Sequence, residues 1–529
     1  MIHTREPSHQ MHGTRATVRN ALGASRRFLA GCVRIDTRAL AAFRISLGAL
    51  LLADVLLRAR AFTRFYTAGG VVPPEVAREA APVSITSPLH LSSSPTAVAA
   101  LFVLHALVAV ALLVGYETRV ATFFSLIFAL SVDLANPLVL SHADTLTLWL
   151  LFWALFLPLG ERWSVDALHA EGEPRPTVSS LATAAILSQL LTMYLVNAYQ
   201  KSHSEQWRSG EAAVLILGLD DTTYLFGDAL REVPALLQLG GLTWYYMLAC
   251  AWLLVLLRGR ARILLVGLFV TVHASFALTV RIGAFAFVAI AGLLLFLQTP
   301  FWDACVAHTR RLERQRSDLQ RRLEAAARAL PARRRRPLLT SRTRHVTLAV
   351  VLVALSSALV VGAVGDERTP DPVADAADGA TGALTAVATQ QTEWNVFAPN
   401  PRTTDRYYVF AAETTDGRHL DVYNDRPLSF DRPHERLHHQ YPTYRERFYT
   451  SNLGSARAPG AAPALAEYLC AEWTDAADAA LTGITMYRIE EEVTRETVAD
   501  PENRTRRAVE LHRHGCDGRQ PVDLESPPF

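Results

Sequence analysis

Residues 178–207 read VSSLATAAILSQLLTMYLVNAYQKSHSEQW, an apolar run that ends at a basic residue, Lys201. A bilayer core of about 30 Å is crossed by roughly 20 mainly apolar residues in a helix, so this run is long enough to span a membrane. Lys201 is also the only lysine among the 52 basic residues of the chain. The stretch therefore predicts a membrane-spanning helix with a single amine at one end.

Two explanations for the single lysine stay open. An ammonium group can lose its proton when it is partly desolvated, whereas a guanidinium cannot, so a lysine kept among arginines suits proton transfer. The chain is also rich in alanine and arginine, and a GC-rich coding sequence would make lysine rare at any position. The surroundings of Lys201 have to decide between the two.

Eight further apolar runs resemble membrane spans. With residues 178–200 they make nine, at about 39–57, 96–116, 119–139, 144–160, 178–200, 236–257, 261–280, 283–299 and 346–364. The fourth and the eighth are short, so we expect one of them to be tilted, re-entrant or buried among its neighbours. The predicted fold class is an all-α polytopic membrane bundle of about nine transmembrane helices, followed by a small C-terminal α+β domain.

Arginine clusters set the expected orientation, because cytoplasmic loops are rich in Lys and Arg. The three densest clusters, within residues 26–38, 258–262 and 310–344, fall on one side of a nine-span topology. We therefore expect a multi-pass protein of the cell membrane with a cytoplasmic N-terminus and an extracytoplasmic C-terminal domain.

The chain divides into five predicted segments. They are a cytoplasmic N-terminal segment (1–38), a transmembrane domain (39–303), a cytoplasmic arginine-rich amphipathic segment (304–345), a final transmembrane helix (346–364) and an extracytoplasmic α+β domain (365–529). The arginine-rich segment has leucines at helical spacing and interspersed acids, which favours a helix on anionic lipid over an RNA-binding arm. Since the formal net charge is only +2, no nucleic-acid partner is expected.

The C-terminal domain has the pattern of a mixed fold. Strands are predicted at 406–410, 419–423, 484–493 and 507–512, and a helix at 461–473. Cys470 and Cys516 lie here, and an oxidising compartment permits a disulfide between them, although two free thiols are an equal alternative. His434 and His438 satisfy the His-Glu-x-x-His zinc pattern, but no apolar run buries such a helix, so solvated histidines are favoured and no metal is expected.

The end of the fifth predicted span places three polar residues on one helix face. Tyr194, Asn197 and Lys201 are spaced i, i+3 and i+7. A partly desolvated amine in this position is a candidate general base, with Tyr194 and Asn197 lining its pocket. The alternative is a lysine that reaches the lipid headgroups, which is common at helix ends and which position alone favours.

Further ionisable residues are expected at the same end of the bundle. His142 and Asp144 begin the fourth span, and Asp144 can cap that helix. His273 lies within the seventh span, with Arg281 at its outer end, and ionisable groups at membrane depth usually face a functional cavity. We therefore predict that these residues converge with Lys201 on one cavity that opens outward.

Three more charged residues lie inside predicted spans, where a charge is costly. Arg44 is expected to reach toward the cytoplasmic surface. Asp54 and Asp133, which lie toward the outer face, are expected to line the same cavity as Lys201.

Several short motifs occur in order between about residues 37 and 303. They are Phe65-Tyr66-x-x-x-Gly70-Val71-Val72-Pro73, His142 at the start of the fourth span, Trp163-Ser164-Val165-Asp166-x-Leu168, Lys201 followed by Trp207 and Gly210, His273 with Ile282-Gly283-x-Phe285, and Pro300-x-Trp302. In this order they resemble the horizontally transferred transmembrane (HTTM) domain family, which includes the vitamin K-dependent gamma-carboxylase. Residues 391–401 also resemble the start of the outer domain in prokaryotic members.

The resemblance implies a chemistry for the predicted site. A lysine at the position of Lys201 deprotonates a reduced quinone of menaquinone or vitamin K type, and O2 converts the quinol to its epoxide through a strongly basic alkoxide. That base removes a gamma proton from a peptide glutamate, and the carbanion takes up CO2, assisted by a histidine at the position of His142. Trp207 joins the pocket on the same ground. A strong base requires a water-poor pocket, which a membrane bundle supplies.

The sequence thus predicts a quinol-dependent, carboxylase-like membrane enzyme, a carbon–carbon lyase of vitamin K-dependent type that acts on a peptide or protein. Lys201 and His142 are the predicted catalytic residues, and membrane lipid, a quinone and a peptide are the expected partners. One alternative is a non-enzymatic membrane component that binds or matures a peptide, with a lipid or quinone in its cavity. A transporter is a second alternative, against which the lack of an inverted repeat argues.

Overall fold

The structure is a computed structural model that describes two parts of the chain, a helical bundle before residue 313 and a mixed domain after residue 392. The described residues are 23–81, 87–92, 94–312, 324–331, 393–476, 479–521 and 524–529, with the single positions 20, 343, 346 and 348. The predicted ninth span, apart from two isolated positions, lies outside the described residues. So does most of the arginine-rich segment.

Long apolar helices joined by short ones form the bundle. They are α1 (Thr37–Ala59), α2 (Phe62–Tyr66), α3 (Pro74–Ala80), α4 (Pro95–Val114), α5 (Thr118–Ala135), α6 (His142–Ala154), α7 (Val165–Leu168), α8 (Leu181–Ser202), α9 (Glu205–Ser209), α10 (Glu211–Gly218), α11 (Gly227–Arg231), α12 (Pro234–Ala249), α13 (Leu253–Leu256), α14 (Gly259–Thr279), α15 (Phe285–Leu293) and α16 (Thr299–Leu312). Strands β1 (Ile35–Asp36) and β2 (Thr177–Val178) pair antiparallel. This pairing joins the starts of α1 and α8 at one end of the bundle.

Five of these helices are long and apolar enough to cross a membrane: α1, α4, α5, α8 and α14. A sixth span results if the segment Phe285–Phe296 and the helix that follows it, which are bent by 103°, are counted as one. The predicted fourth and sixth spans form helices of only 13 and 16 residues. At 1.5 Å per residue these rise about 20 and 24 Å, less than the roughly 30 Å of a bilayer core.

The packing of α1 against α4 depends on a small residue and a buried cation. A Cβ added at Gly48 would lie 2.6 Å from the backbone nitrogen of Leu113, so only glycine permits this close approach. Arg44 does not reach the surface as expected. It is fully buried, and its guanidinium donates to the carbonyl oxygens of Leu112 (3.1 Å), Leu113 (3.0 Å) and Trp163. Because these carbonyls lie within the bundle, Arg44 fastens α1 to the end of α4.

The C-terminal domain is an antiparallel sheet with two helices. Its elements are β3 (Thr404–Thr414), β4 (His419–Asp421), β5 (Arg426–Pro427), α17 (Tyr444–Ser451), α18 (Ala461–Ala476), β6 (Leu481–Glu492) and β7 (Arg506–Gly515). The strand order is β5-β4-β3-β6-β7, so the two long central strands come from distant parts of the domain. The predicted strands and helix are all present, which confirms the α+β class of this domain.

Two features of the domain bear on the sequence predictions. Cys470 of α18 is joined by a disulfide to Cys516, which follows β7, so the helix is linked covalently to the sheet. His434 and His438 do not share a helix, because only a short 3-10 turn, Leu437–Gln440, forms there. Among the described residues no three metal-ligating side chains are grouped.

Candidate active site

An apolar cavity of about 480 Å³ lies among α8, α10, α12 and α14, below residues 394–397 of the C-terminal domain. Its volume falls within the range of pockets that bind small molecules and cofactors. The polar side chains that line it are few, and they include Tyr194, Asn197, Lys201 and His273. A flat or elongated apolar ligand fits such a space.

Lys201 stands at one end of this cavity, in the last turn of α8. The helix begins at a capping box formed by Ser180 and Thr183 and runs unbroken to Ser202. Lys201 is only 1% exposed, and its Nζ lies 4.0 Å from the ring centre of Trp207. Within the described part of the chain, no carboxylate lies within salt-bridge distance of Lys201. The amine is therefore buried without a counter-charge, unlike a lysine that reaches the headgroups.

Residues 394–397, here called the roof segment, cover this end of the cavity. Lys201 donates to the carbonyl oxygen of Val396 at 2.5 Å, and Asn197 donates to that of Trp394 at 2.7 Å. The indole nitrogen of Trp207 donates to the carbonyl oxygen of Phe397 at 2.8 Å. Three side chains of the bundle thus hold the roof by its backbone. The predicted face of α8 is present, but its partner segment was not predicted.

A second polar point lies on the cavity wall. The Tyr194 hydroxyl is 3.0 Å from Nε2 of His273, and both residues are buried. The Trp244 ring lies 5.4 Å from that of His273, and Phe285 lies on another side at 6.1 Å. Nδ1 of His273 has no hydrogen-bond partner in the described structure. Because a buried nitrogen is costly to leave unpaired, this atom can bind a polar group of a ligand.

His142 does not line the cavity, contrary to the predicted convergence. Its Nε2 contacts the carbonyl oxygen of Glu393 at 3.1 Å and the side-chain oxygen of Asn395 at 3.0 Å. Its ring lies 6.2 Å from that of Trp394 and 6.4 Å from that of Phe285, and both of these rings line the cavity. Burial lowers the pKa of His142. The ring of His142 therefore stands behind the cavity wall, beside the roof segment.

The predicted acids belong to a separate group, here called the inner ion cluster. It consists of Asp54, Arg58, Asp133, Asp144 and Arg445. Arg58 contacts Asp54 (2.7 Å), Asp133 (2.9 Å) and Asp144 (2.7 Å), and Arg445 of α17 contacts Asp54 (2.5 Å) and Asp144 (2.8 Å). The expectation that Asp54, Asp133 and Asp144 line the cavity of Lys201 is wrong, because Arg58 pairs with all three of them elsewhere. The i, i+4 spacing of Asp54 and Arg58 was the available sequence signal.

Arg281 also lies apart from the cavity. Its guanidinium donates to the carbonyl oxygens of His438 (2.7 Å) and Tyr441 (2.9 Å) in the C-terminal domain. Its contacts with these two carbonyls make it a docking residue, rather than a pocket residue as predicted.

A second set of ion pairs, here called the outer ion cluster, joins the two parts of the molecule. Its centre is Asp405 of β3, which accepts from the backbone nitrogens of Asp220 (2.6 Å) and Asp221 (2.9 Å) in the bundle. Arg504 pairs with Asp405 at 2.9 Å and donates to the carbonyl oxygen of Gly218 at 2.8 Å. Burial, and repulsion from Asp221 and Asp220, raise the pKa of Asp405. These contacts and the inner ion cluster fix the C-terminal domain, and with it the roof.

The cavity reaches the side of the bundle between α12 and α14. Leu236 and Leu239 line it and are 55% and 61% exposed, respectively. Gly240, Thr243 and Ser275 also line it from exposed positions, and a Cβ added at Gly240 would meet no atom within 4 Å. These five residues form what we call the side gap. Since α14 is a candidate membrane span, the gap faces the region that lipid would occupy.

Comparison with known proteins identifies the bundle. Residues 33–302, just over half of the chain, match the HTTM domain. No curated protein and no solved structure matches the chain. The matched segment holds α1 to α15 and every side chain of the bundle that contacts the roof. The chain therefore belongs to the HTTM domain family of membrane proteins.

Proposed function

We propose that this protein is a quinol-dependent, carboxylase-like membrane enzyme, and that Lys201 is its general base. The observation that carries the proposal is the burial of the Lys201 amine at the end of a cavity with aromatic and aliphatic walls, with no carboxylate partner among the described residues. A lysine that acts as a general base requires an unprotonated amine, which a neighbouring carboxylate would disfavour, and a site that excludes water. The position of Lys201 satisfies both conditions.

The cavity fits a reduced quinone of menaquinone or vitamin K type. Trp244, Phe276 and Phe285 offer ring faces for a flat head group. Lys201 and Asn197 at one end, and His273 on the wall, can hydrogen-bond its oxygens, while the side gap leaves a path for an apolar tail. With such a quinol bound, the overall reaction would convert quinol, O2, CO2 and a glutamyl peptide into quinone epoxide, water and a gamma-carboxyglutamyl peptide.

The chain's own residues have separate tasks in this proposal. Lys201 releases the carbonyl oxygen of Val396 and takes a proton from the ligand hydroxyl that replaces it. Asn197 holds the ligand oxygen from the next turn of α8. His142 lies beside the roof segment, so its assistance to carboxylation, as predicted from the resemblance, requires the roof to move when a peptide arrives.

The proposal includes the membrane topology. The predicted final span at 346–364 and the three arginine clusters support a topology in which that domain and the roof would lie outside the cytoplasm. A peptide substrate would then approach the roof from the extracytoplasmic side.

The test is incubation of membranes with reduced menaquinone, O2, labelled bicarbonate and candidate glutamyl peptides. Lys201→Arg keeps the positive charge but cannot act as a base, so we expect it to abolish formation of both quinone epoxide and labelled peptide. Arg208→Lys, at an exposed position nearby, is the matched control and should retain activity. Equal epoxide formation by wild type and Lys201→Arg would overturn the role of Lys201.

A second candidate function rests on the closed roof. Because Lys201 already donates to Val396, and His142 lies outside the cavity, the same geometry suits a non-enzymatic component that binds a quinone or lipid while it handles a peptide. In that case labelled menaquinone would bind to wild type and to Lys201→Arg alike, and neither would form epoxide.

A further inference from the structure

The inner ion cluster lies beside a small cavity that the proposed reaction does not use. This cavity of about 30 Å³ is lined by all five cluster residues and by His105 of α4. A water molecule requires roughly 10–15 Å³ of such volume and at least two polar partners, so the space suits one water. We propose that the cluster binds a single proton on Asp133, and that one internal water links this proton to His105.

The charges of the cluster do not balance. Its three carboxylates, on Asp54, Asp133 and Asp144, face two guanidiniums, on Arg58 and Arg445. One negative charge is therefore left over among the described residues. An uncompensated buried charge is costly, and a buried acid usually takes up a proton instead.

The contacts identify Asp133 as the acid that takes the proton. Asp144 accepts from both guanidiniums and also from the backbone N–H (2.7 Å) and the hydroxyl (3.0 Å) of the serine that caps α6. Asp54 accepts from both guanidiniums. Asp133 has one hydrogen-bond donor in the part of the chain that the structure describes, Nη2 of Arg58 at 2.9 Å. As the carboxylate with the fewest donors, Asp133 gains most from protonation.

His105 provides the independent sign of a bound water. It is 3% exposed and stacks on Phe128 at 5.4 Å, yet neither Nδ1 nor Nε2 has a partner in the described structure. A protonated imidazole would bury two unpaired N–H donors, whereas a neutral one has one donor and one acceptor. The proton therefore stays on Asp133, whose hydroxyl donates to the water, and the water donates to the acceptor nitrogen of His105.

The charged or titratable groups that the described structure places around the site lie on six helices. They are Asp54 and Arg58 on α1, Tyr66 on α2, His105 on α4, Asp133 on α5, Asp144 on α6, and Tyr444 and Arg445 on α17. Burial raises the pKa of Tyr444, so its phenol adds no charge. The hydroxyl of Tyr66 accepts from Arg58 at 2.8 Å, so it adds no charge. The site joins five bundle helices to α17 of the C-terminal domain, so its proton removes an excess negative charge where the two parts of the molecule meet.

Infrared spectroscopy of the full chain in lipid nanodiscs tests the proposal directly. We expect a band from a protonated carboxylic acid that shifts on exchange into D2O, is present in wild type and is lost in Asp133→Asn. His105→Phe keeps the ring stacked on Phe128 and should keep the band but change its frequency, because the water loses one partner. Absence of the band from the wild-type minus Asp133→Asn difference overturns the proposal, and an unchanged frequency in His105→Phe overturns the link to His105.

The pH dependence of stability provides a second readout. The native state would hold a proton that an unfolded aspartate releases above about pH 4. Raising the pH from about 5 to about 8 should then lower the unfolding midpoint of wild type relative to that of Asp133→Asn, in which every other titrating group is kept. Titration of the infrared band in wild type should reveal the same group. Asp303→Asn, at an exposed position, should leave the pH dependence of the unfolding midpoint unchanged. A wild-type slope that survives in Asp133→Asn contradicts the assignment.

Discussion

The Nζ atom of Lys201 lies 2.5 Å from the carbonyl oxygen of Val396, so a backbone group of the C-terminal domain holds the side chain of the only lysine in the sequence. This carbonyl occupies a position that a ligand oxygen could take. A ligand hydroxyl that reaches Lys201 must therefore displace the roof segment locally, and the energy needed to do so limits how fast the site becomes available.

Trp207→Phe should loosen the roof while it keeps an aromatic ring in the cavity wall. The substitution removes the indole donor to the carbonyl oxygen of Phe397 but leaves a ring beneath Lys201. Loss of one such hydrogen bond costs about 1 kcal/mol, which corresponds to roughly fivefold faster opening. Hydrogen exchange of the amides at residues 395–398 measures this rate. Trp302→Phe, whose indole contacts the carbonyl oxygen of Leu297 far from the roof, should not change it.

Gly240→Trp should slow the binding of a long-chain quinone. Gly240 lies in the side gap, and a Cβ added there meets no atom within 4 Å, so a large side chain at this position can extend into the gap. Gly267→Trp is the matched control, since Gly267 is an exposed glycine of α14 that also faces open space but does not line the cavity. We expect association of labelled menaquinone to slow by about tenfold or more in the first variant, equivalent to roughly 1.4 kcal/mol in the barrier. Equal rates in the two variants would mean that ligands enter elsewhere.

Arg504→Met should strongly destabilise the docked C-terminal domain. Arg504 is fully buried and pairs with Asp405 in the seam, which is the contact between the bundle and the C-terminal domain. Its removal leaves the Asp405 carboxylate without its closest cation. Breaking a buried pair in this way costs about 3–5 kcal/mol. Arg507→Met is the control, because Arg507 is 73% exposed and its surface pair with Glu490 should contribute little to stability. Denaturant unfolding of both variants in detergent measures the difference.

The sequence was sufficient for the helices and for one face of the site. Apolar length locates α1, α4, α5, α8 and α14, and helical spacing brings Tyr194, Asn197 and Lys201 to one cavity. These features are local, because each depends on residues within a few turns of one helix. The apolar runs at 144–160 and 236–257 misled the prediction, since composition does not show where a buried helix ends.

The parts that failed depend on contacts between distant segments. The roof comes from residues nearly 200 positions after Lys201, and no local pattern indicates that its carbonyls meet α8. Asp54 and Asp133 were expected beside Lys201, but Arg58 and Arg445 are stronger partners for a carboxylate than an apolar cavity is. His142 is near the roof rather than the cavity because Trp394 and Phe285 occupy the space between. Tertiary packing and charge pairing determine the positions of these residues.

Acidification should weaken the seam between the bundle and the C-terminal domain through His438. Burial, followed by the neighbouring His439 and Arg281, lowers the pKa of His438 to about 4. The backbone nitrogen of His438 donates to the backbone carbonyl oxygen of Asp220, and the carbonyl oxygen of His438 accepts from Arg281. This residue therefore lies at the contact between the two parts of the molecule. In the unfolded chain a histidine takes up a proton near pH 6.5.

The sign follows from this difference. Between about pH 6.5 and pH 4 the unfolded state binds a proton at His438 that the native state does not, so stability present above pH 6.5 is lost as the pH falls. We expect the unfolding midpoint of wild type to drop more over this interval than that of His438→Asn, which keeps the backbone contacts and lacks the titrating group. His419→Asn, at an exposed position of β4, should follow wild type. If His438→Asn loses as much stability as wild type on acidification, His438 is not the group responsible. The loss would then come from other titrating groups at the same contact, such as the carboxylates of the outer ion cluster.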